Sequence, residues 1–232
     1  MPDIAQFIHK LSVYAVPVIL AITFHEAAHG WVAYRKGDPT AKMLGRVTLN
    51  PLPHIDPFGT ILLPAMMLLL GTGMVFGWAK PVPVNFRLLR DQKRDPIYVA
   101  SAGIVTNLAL AAFSGIIFRI LIAIDPALLL EAMTHGAAPL TNTPVRAVLV
   151  PLTLMCAVSV QFNVLLAVFN LIPVPPLDGG RIAVGLLPPR ASMALASVER
   201  YGILIVLMLL MFGPLAIIWR FVDMLSTFFL GG

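Results

Sequence analysis

Charge is scarce in this chain. Only 12% of its 232 residues are Asp, Glu, Lys or Arg, about half the share usual in soluble domains. With 59% hydrophobic residues and a mean hydropathy of +0.90, this excludes an ordinary soluble domain and reads as an integral membrane protein. No long polar stretch separates the apolar runs, so there is no room for a separate soluble domain, and residues 1–232 read as one membrane-embedded domain. Cysteine is nearly absent. Cys156 stands alone, which excludes an intramolecular disulfide and any cysteine-based metal site. Acidic residues are also few, 11 against 16 Lys and Arg. The net charge of +5 lies mostly in loops and reads as membrane topology, not nucleic-acid binding.

What is present is a set of apolar runs. A membrane-spanning helix needs roughly 20 apolar residues. Residues 11–34, 58–79, 97–118, 147–177 and 202–219 qualify by length and hydropathy, and only the first contains a charged residue. The expected fold is therefore an α-helical polytopic membrane protein of about four to six segments, multi-pass in the cell membrane. Gly213-Pro214 leaves one or two segments open at the C-terminal end. The first run does not read as a removable signal peptide, because its flank is only weakly basic and cleavage would discard the motif described below.

Basic residues set the orientation. Arg35, Lys36, Lys42 and Arg46 follow the first run, and Lys80, Arg87, Arg90, Lys93 and Arg94 precede the third. Both clusters read as cytoplasmic. Residues 58–79 then begin and end on one side, and they contain Pro64, Gly71, Gly73 and Gly77. A re-entrant hairpin fits this better than a straight helix, with an ordinary span as the other reading. Residues 45–50 and 80–85 alternate in character and read as short edge strands, where an extended peptide could pair. The orientation also brings the end of the fourth run to the depth of the first run's end, near the cytoplasmic face.

The first run contains His25-Glu26-Ala27-Ala28-His29. Two histidines four residues apart share a helix face and can hold one zinc ion, with the glutamate placed to take a proton from an attacking water. A catalytic zinc needs a third protein ligand. Asp178 is the best candidate. It follows the charge-free run 147–177 in Asn170-Leu171-Ile172-Pro173-Val174-Pro175-Pro176-Leu177-Asp178-Gly179-Gly180, and a carboxylate there is costly unless coordinated. Its other reading is a cap for the following helix. His54 and Asp56 read as a loop turn in preference to a second metal or proton-relay pair. Gln161 and Asn163 read as interhelical glue, and Asn107 as structural packing.

Together, His25-Glu26-Ala27-Ala28-His29 and the run from Asn170 to Gly179 resemble the site-2 protease family of intramembrane zinc metalloproteases, in a minimal form without a PDZ or CBS domain. The resemblance implies His25, His29 and Asp178 as ligands of one Zn2+ per chain. It implies Glu26 as general base and Asn170 as the group that polarises the scissile carbonyl. Gly103-Ile104-Val105-Thr106-Asn107 keeps the spacing of a third family element but has Ile104 in place of its proline. The implied partners are a membrane-spanning protein substrate and the lipid bilayer, with no nucleic acid; oligomeric state has no signal in the sequence. The competing class is a membrane metal transporter using the same ligands, which would call for internal repeats, and none is seen.

Overall fold

The computed structural model describes residues 4–63, 66–67, 77–135, 143–202, 204–206, 208 and 215–232. Its main helices are α1 (Ile4–Arg35), α2 (Thr40–Met43), α3 (Asp95–Ile124), α4 (Ala127–His135), α5 (Pro144–Asn170), α6 (Asp178–Leu186), α7 (Pro189–Ser197) and α8 (Leu215–Leu230). Among the described residues, three stretches are long and apolar enough to cross a membrane: Val13–Arg35, Asp95–Ile124 and Pro144–Asn170. They correspond to three of the five expected runs. The run at 202–219 lies partly outside the described residues.

α3 is the central helix, packed against both α1 and α5, which also touch each other. Its buried face is built from small residues, including Ala100, Gly103, Ala111, Ser114 and Gly115. Small side chains let helix backbones approach where lipid provides no hydrophobic drive. At Gly115 the approach is to α8, where an added Cβ would lie 2.6 Å from the Phe229 carbonyl oxygen. Val105, Phe113, Ile116 and Ile120 on α3 are exposed and suit contact with lipid.

α1 stops at a turn that needs glycine. Gly37 has φ +112°, and a Cβ there would meet the Leu88 carbonyl oxygen at 3.1 Å. Just before it, Lys36 pairs with the buried Asp95 carboxylate at the start of α3, 3.0 Å away. Just after it, fully buried Asp38 accepts hydrogen bonds from Thr40 N and Asn85 N, at 2.9 and 2.6 Å. These contacts fix the end of α1 to the start of α3 and to the segment leading into it.

The expected edge strands are a correction. Residues 45–50 and 80–85 form no ladder, and no strand occurs among the described residues. Pro81 and Pro83 cannot donate to a ladder, and several of the 80–85 backbone groups are taken by side chains instead. Arg46 donates to the carbonyls of Lys80 and Pro81, at 2.5 and 3.2 Å. Val82 N donates to Glu26 at 2.7 Å. Residues 77–85 thus run as an irregular strap past α1.

Half of the expected hairpin at 58–79 lies outside the described residues, but its two ends meet. Trp78 N donates to the Gly59 carbonyl at 3.1 Å, Thr60 Oγ1 donates to the Trp78 carbonyl at 2.8 Å, and Lys80 N donates to the His54 carbonyl at 2.9 Å. These bonds set the backbone at Gly59–Thr60 beside that at Trp78, and His54 beside Lys80. The His54–Asp56 turn sits at this junction. Asp56 Oδ1 accepts from Phe58 N and Gly59 N, capping the π-helical turn Pro57–Leu62, while His54 Nε2 bonds to the Thr48 carbonyl at 3.1 Å. Among the described residues, neither belongs to a metal-capable cluster.

Candidate metal centre

The apolar run at 147–177 is not one helix. α5 ends at Asn170, because Pro173, Pro175 and Pro176 cannot continue it. The chain then folds back through residues 171–177 and starts α6 at Asp178. Two glycines make this turn fit. An added Cβ at Gly179 would lie 2.2 Å from the Leu171 carbonyl oxygen, and one at Gly180 would lie 2.1 Å from Pro175 N. The Asp178 carboxylate therefore enters from the first turn of a short helix pressed onto the proline loop.

It meets the two histidines of α1. Asp178 Oδ2 lies 3.3 Å from His25 Nε2 and 3.3 Å from His29 Nε2, and the two Nε2 atoms are 3.0 Å apart. Among the described residues this is the one group of three or more His, Cys, Asp or Glu that could hold a metal.

The other ring nitrogens are committed. His29 Nδ1 lies 2.7 Å from the Val99 carbonyl oxygen, which can only accept, so Nδ1 carries the proton. His25 Nδ1 lies 2.5 Å from Asn107 Oδ1, and the same logic applies. In the neutral form of each ring Nε2 is then a lone pair. With both rings neutral, three lone pairs converge within 3.3 Å, and Asp178 Oδ2 is a buried atom without a well-formed hydrogen bond. In that state the arrangement is repulsive unless a cation sits at its centre. The separations also fit the ion: ligand atoms about 2.0–2.1 Å from a tetrahedral zinc lie roughly 3.3 Å from one another.

α3 forms the floor. A Cβ on Gly103 would lie 2.4 Å from His25 Cε1 and 2.5 Å from His29 Nε2. The third element of the sequence thus supplies a glycine under the imidazoles and, one turn later, Asn107. Packing was the expected role of Asn107, and its bond to His25 corrects that. The spacing of Gly103 and Asn107 was the available signal. Asn163 does bridge helices as expected, through Asn107 Nδ2 at 2.7 Å, whereas Gln161 is exposed.

Glu26 and Asn170 are the two remaining candidates. Glu26, between the histidines, accepts the Val82 N–H of the strap through Oε2. Asn170 is half-buried at the last residue of α5 and donates to the Leu166 carbonyl of its own helix at 3.0 Å.

The profile of peptidase family M50 matches residues 13–213. A relative from Bacillus subtilis named "Putative zinc metalloprotease YwhC" is 39% identical over 84% of this chain and 78% of its own length. A protein of the same description, Rip2 of Mycolicibacterium smegmatis, is 30% identical over 83% of this chain. Rip2 of Mycobacterium tuberculosis strain H37Rv is 29% identical over 82% of it. The chain spans just under two thirds of the Rip2 proteins, 64% and 63% of their lengths. No solved structure matches it. By a profile that covers most of its length, the chain belongs to peptidase family M50.

Proposed function

We propose that this chain is an intramembrane zinc metalloprotease that hydrolyses a peptide bond within or next to a substrate's transmembrane helix. The observation that carries this is the convergence of His25, His29 and Asp178 ligand atoms, with Glu26 between the two histidines on a helix apolar enough to span a bilayer. His25, His29 and Asp178 would hold one zinc, which when bound polarises the scissile carbonyl and acidifies water. Glu26 is the general base: it takes the proton of the attacking water and returns it to the leaving amine. Asn170 turns its amide from the Leu166 carbonyl to the substrate carbonyl and donates to the developing oxyanion.

A helical substrate hides its carbonyls in i→i−4 hydrogen bonds and must unwind before attack. The strap at residues 77–85 passes beside Glu26 with backbone not engaged in a ladder, which supports it as the edge along which the unwound stretch aligns. The meeting ends of residues 58–79 support a re-entrant excursion. We read residues 1–232 as one domain in the cell membrane with the metal near the cytoplasmic face, following the basic residues around the strap. Metal transport is not favoured, since the family is one of peptidases.

The test is purified protein, reconstituted with a single-pass model substrate. Wild type should carry zinc and cut within or beside the transmembrane helix; cutting that persists after complete zinc removal would defeat this reading.

A further inference from the structure

The imidazole of His25 can present a lone pair at Nε2 only if Nδ1 holds the proton. What enforces this is Asn107, whose side chain is a two-sided group. Its oxygen accepts from Nδ1–H, but rotated by half a turn its NH2 would donate to Nδ1 and drive the proton to Nε2. The sense of an amide is read from its hydrogen-bond network, and here the network has a fixed end.

Asn163 on α5 donates through Nδ2 to the Ser159 carbonyl oxygen at 2.8 Å. That oxygen is an acceptor only, so the Asn163 amide cannot reverse without facing oxygen to oxygen. Its Oδ1 is thereby turned to α3, where it accepts from Asn107 Nδ2 at 2.7 Å. Asn107 Nδ2 is also 3.3 Å from the Ala21 carbonyl oxygen of α1. Asn107 Oδ1 is left to face His25 Nδ1 at 2.5 Å. Asn107 and Asn163 are 0% and 1% exposed, so bulk water does not reach a reversed amide.

We propose that Asn163 is a positioning residue for the metal centre: it passes the polarity of the Ser159 carbonyl through Asn107 to His25 and so fixes the tautomer in which His25 Nε2 is free to bind the metal. The inference rests on the zinc reading of the site. Its first readout does not depend on zinc.

The decisive substitution is Asn163→Leu, which keeps much of the volume and removes both amide functions; Asn163→Ala gives the same comparison should the leucine not be accommodated. In full-length, zinc-free protein in nanodiscs, 15N-labelled at histidine and at a pH high enough to keep the imidazoles neutral, His25 should be protonated at Nδ1 in the wild type. It should show a substantial Nε2–H population in Asn163→Leu. Asn163→Asp retains an oxygen acceptor towards Asn107 and should keep the wild-type tautomer, which loss of packing does not predict. In chelator competition, Asn163→Leu should weaken zinc about 10–100-fold, the usual effect of removing outer support from a ligand.

In an Asn107→Asp background both side-chain oxygens accept, no reversed donor exists, and Asn163→Leu should cost no further zinc affinity. An unchanged His25 tautomer in Asn163→Leu would overturn the proposal. Equal affinity losses in both backgrounds would overturn it too, since simple packing is additive there. The expected tautomers without any zinc binding would uphold the relay and overturn the zinc reading instead.

Discussion

The backbone N–H of Val82 donates to the Glu26 carboxylate at 2.7 Å. This bond ties the strap to the proposed general base, and Gly30, one turn further along α1, leaves room for the Val82 side chain, which lies 3.1 Å from where a Cβ would stand. The strap and the base are thus one assembly. A carboxylate and a carboxamide present the same acceptor oxygen to Val82, but only the carboxylate can take a proton.

Glu26→Gln should therefore leave the strap and the zinc content unchanged and lower cleavage by about 10²–10⁴-fold, the range for general acid–base catalysis. Zinc stoichiometry and cleavage of a model transmembrane substrate, measured on the same preparation, check this. Wild-type cleavage rates in the variant would remove Glu26 from the mechanism.

The strap has a second anchor, Arg46, whose guanidinium donates to the carbonyls of Lys80 and Pro81. Arg46 is 7% exposed, so its bonds are shielded from water. Hydrogen bonds to a charged group are worth about 1.5–3 kcal/mol each. Arg46→Met should release residues 77–85 to limited proteolysis and raise KM for the transmembrane substrate, with zinc affinity unaltered. A protease-resistant strap in this variant would show that Glu26 and Asp38 hold it without Arg46.

Much of the metal centre was legible in the sequence because its chemistry is local. His25 and His29 share a helix face by spacing alone, and Asp178 is an acidic residue ending a long uncharged run. The meeting of the two also followed from the basic loops, which set α1 and α5 antiparallel to α3. The supports were harder to see. Val82 and Val99 act through backbone groups, which leave no mark in side-chain patterns. Asn107 looked ordinary because Ile104 replaces a motif proline, yet α3 runs unbroken through it and the one-turn spacing of Gly103 and Asn107 is kept. The edge strands failed because alternation at 80–85 comes with two prolines, and the side chains of Arg46, Glu26 and Asp38 took the backbone groups a ladder would have used.

Asp178 is the third ligand of the proposed zinc site. Without its Oδ2 the two imidazoles remain, one short of the usual catalytic zinc set. Asp178→Ala should reduce bound zinc well below one per chain after dialysis, while α6 still forms, because no side chain caps it. Metal analysis together with circular dichroism separates loss of ligand from loss of fold. Full zinc occupancy in Asp178→Ala would assign the third ligand to another residue.

Gly103 offers a test of the floor beneath the imidazoles. Alanine is the better helix former, so in an exposed helix Gly103→Ala would stabilise. Here its Cβ would stand 2.4 Å from His25 Cε1 and 2.5 Å from His29 Nε2, closer than carbon and nitrogen can pack. α3 is held by α1 and α5 on either side, so the backbone yields less readily than the rings. The rings would tilt, and Nε2 atoms now within 3.0 Å of each other would no longer point at a common centre. Gly103→Ala should accumulate as a helical membrane protein with near-normal melting. It should bind zinc at least about 10-fold more weakly, on the scale of disturbing a ligand's surroundings, and lose cleavage in proportion to the zinc lost. Excess zinc should then restore part of the activity. Full activity at limiting zinc would mean that α3 moves aside and that Gly103 is not what sets the position of the two histidines.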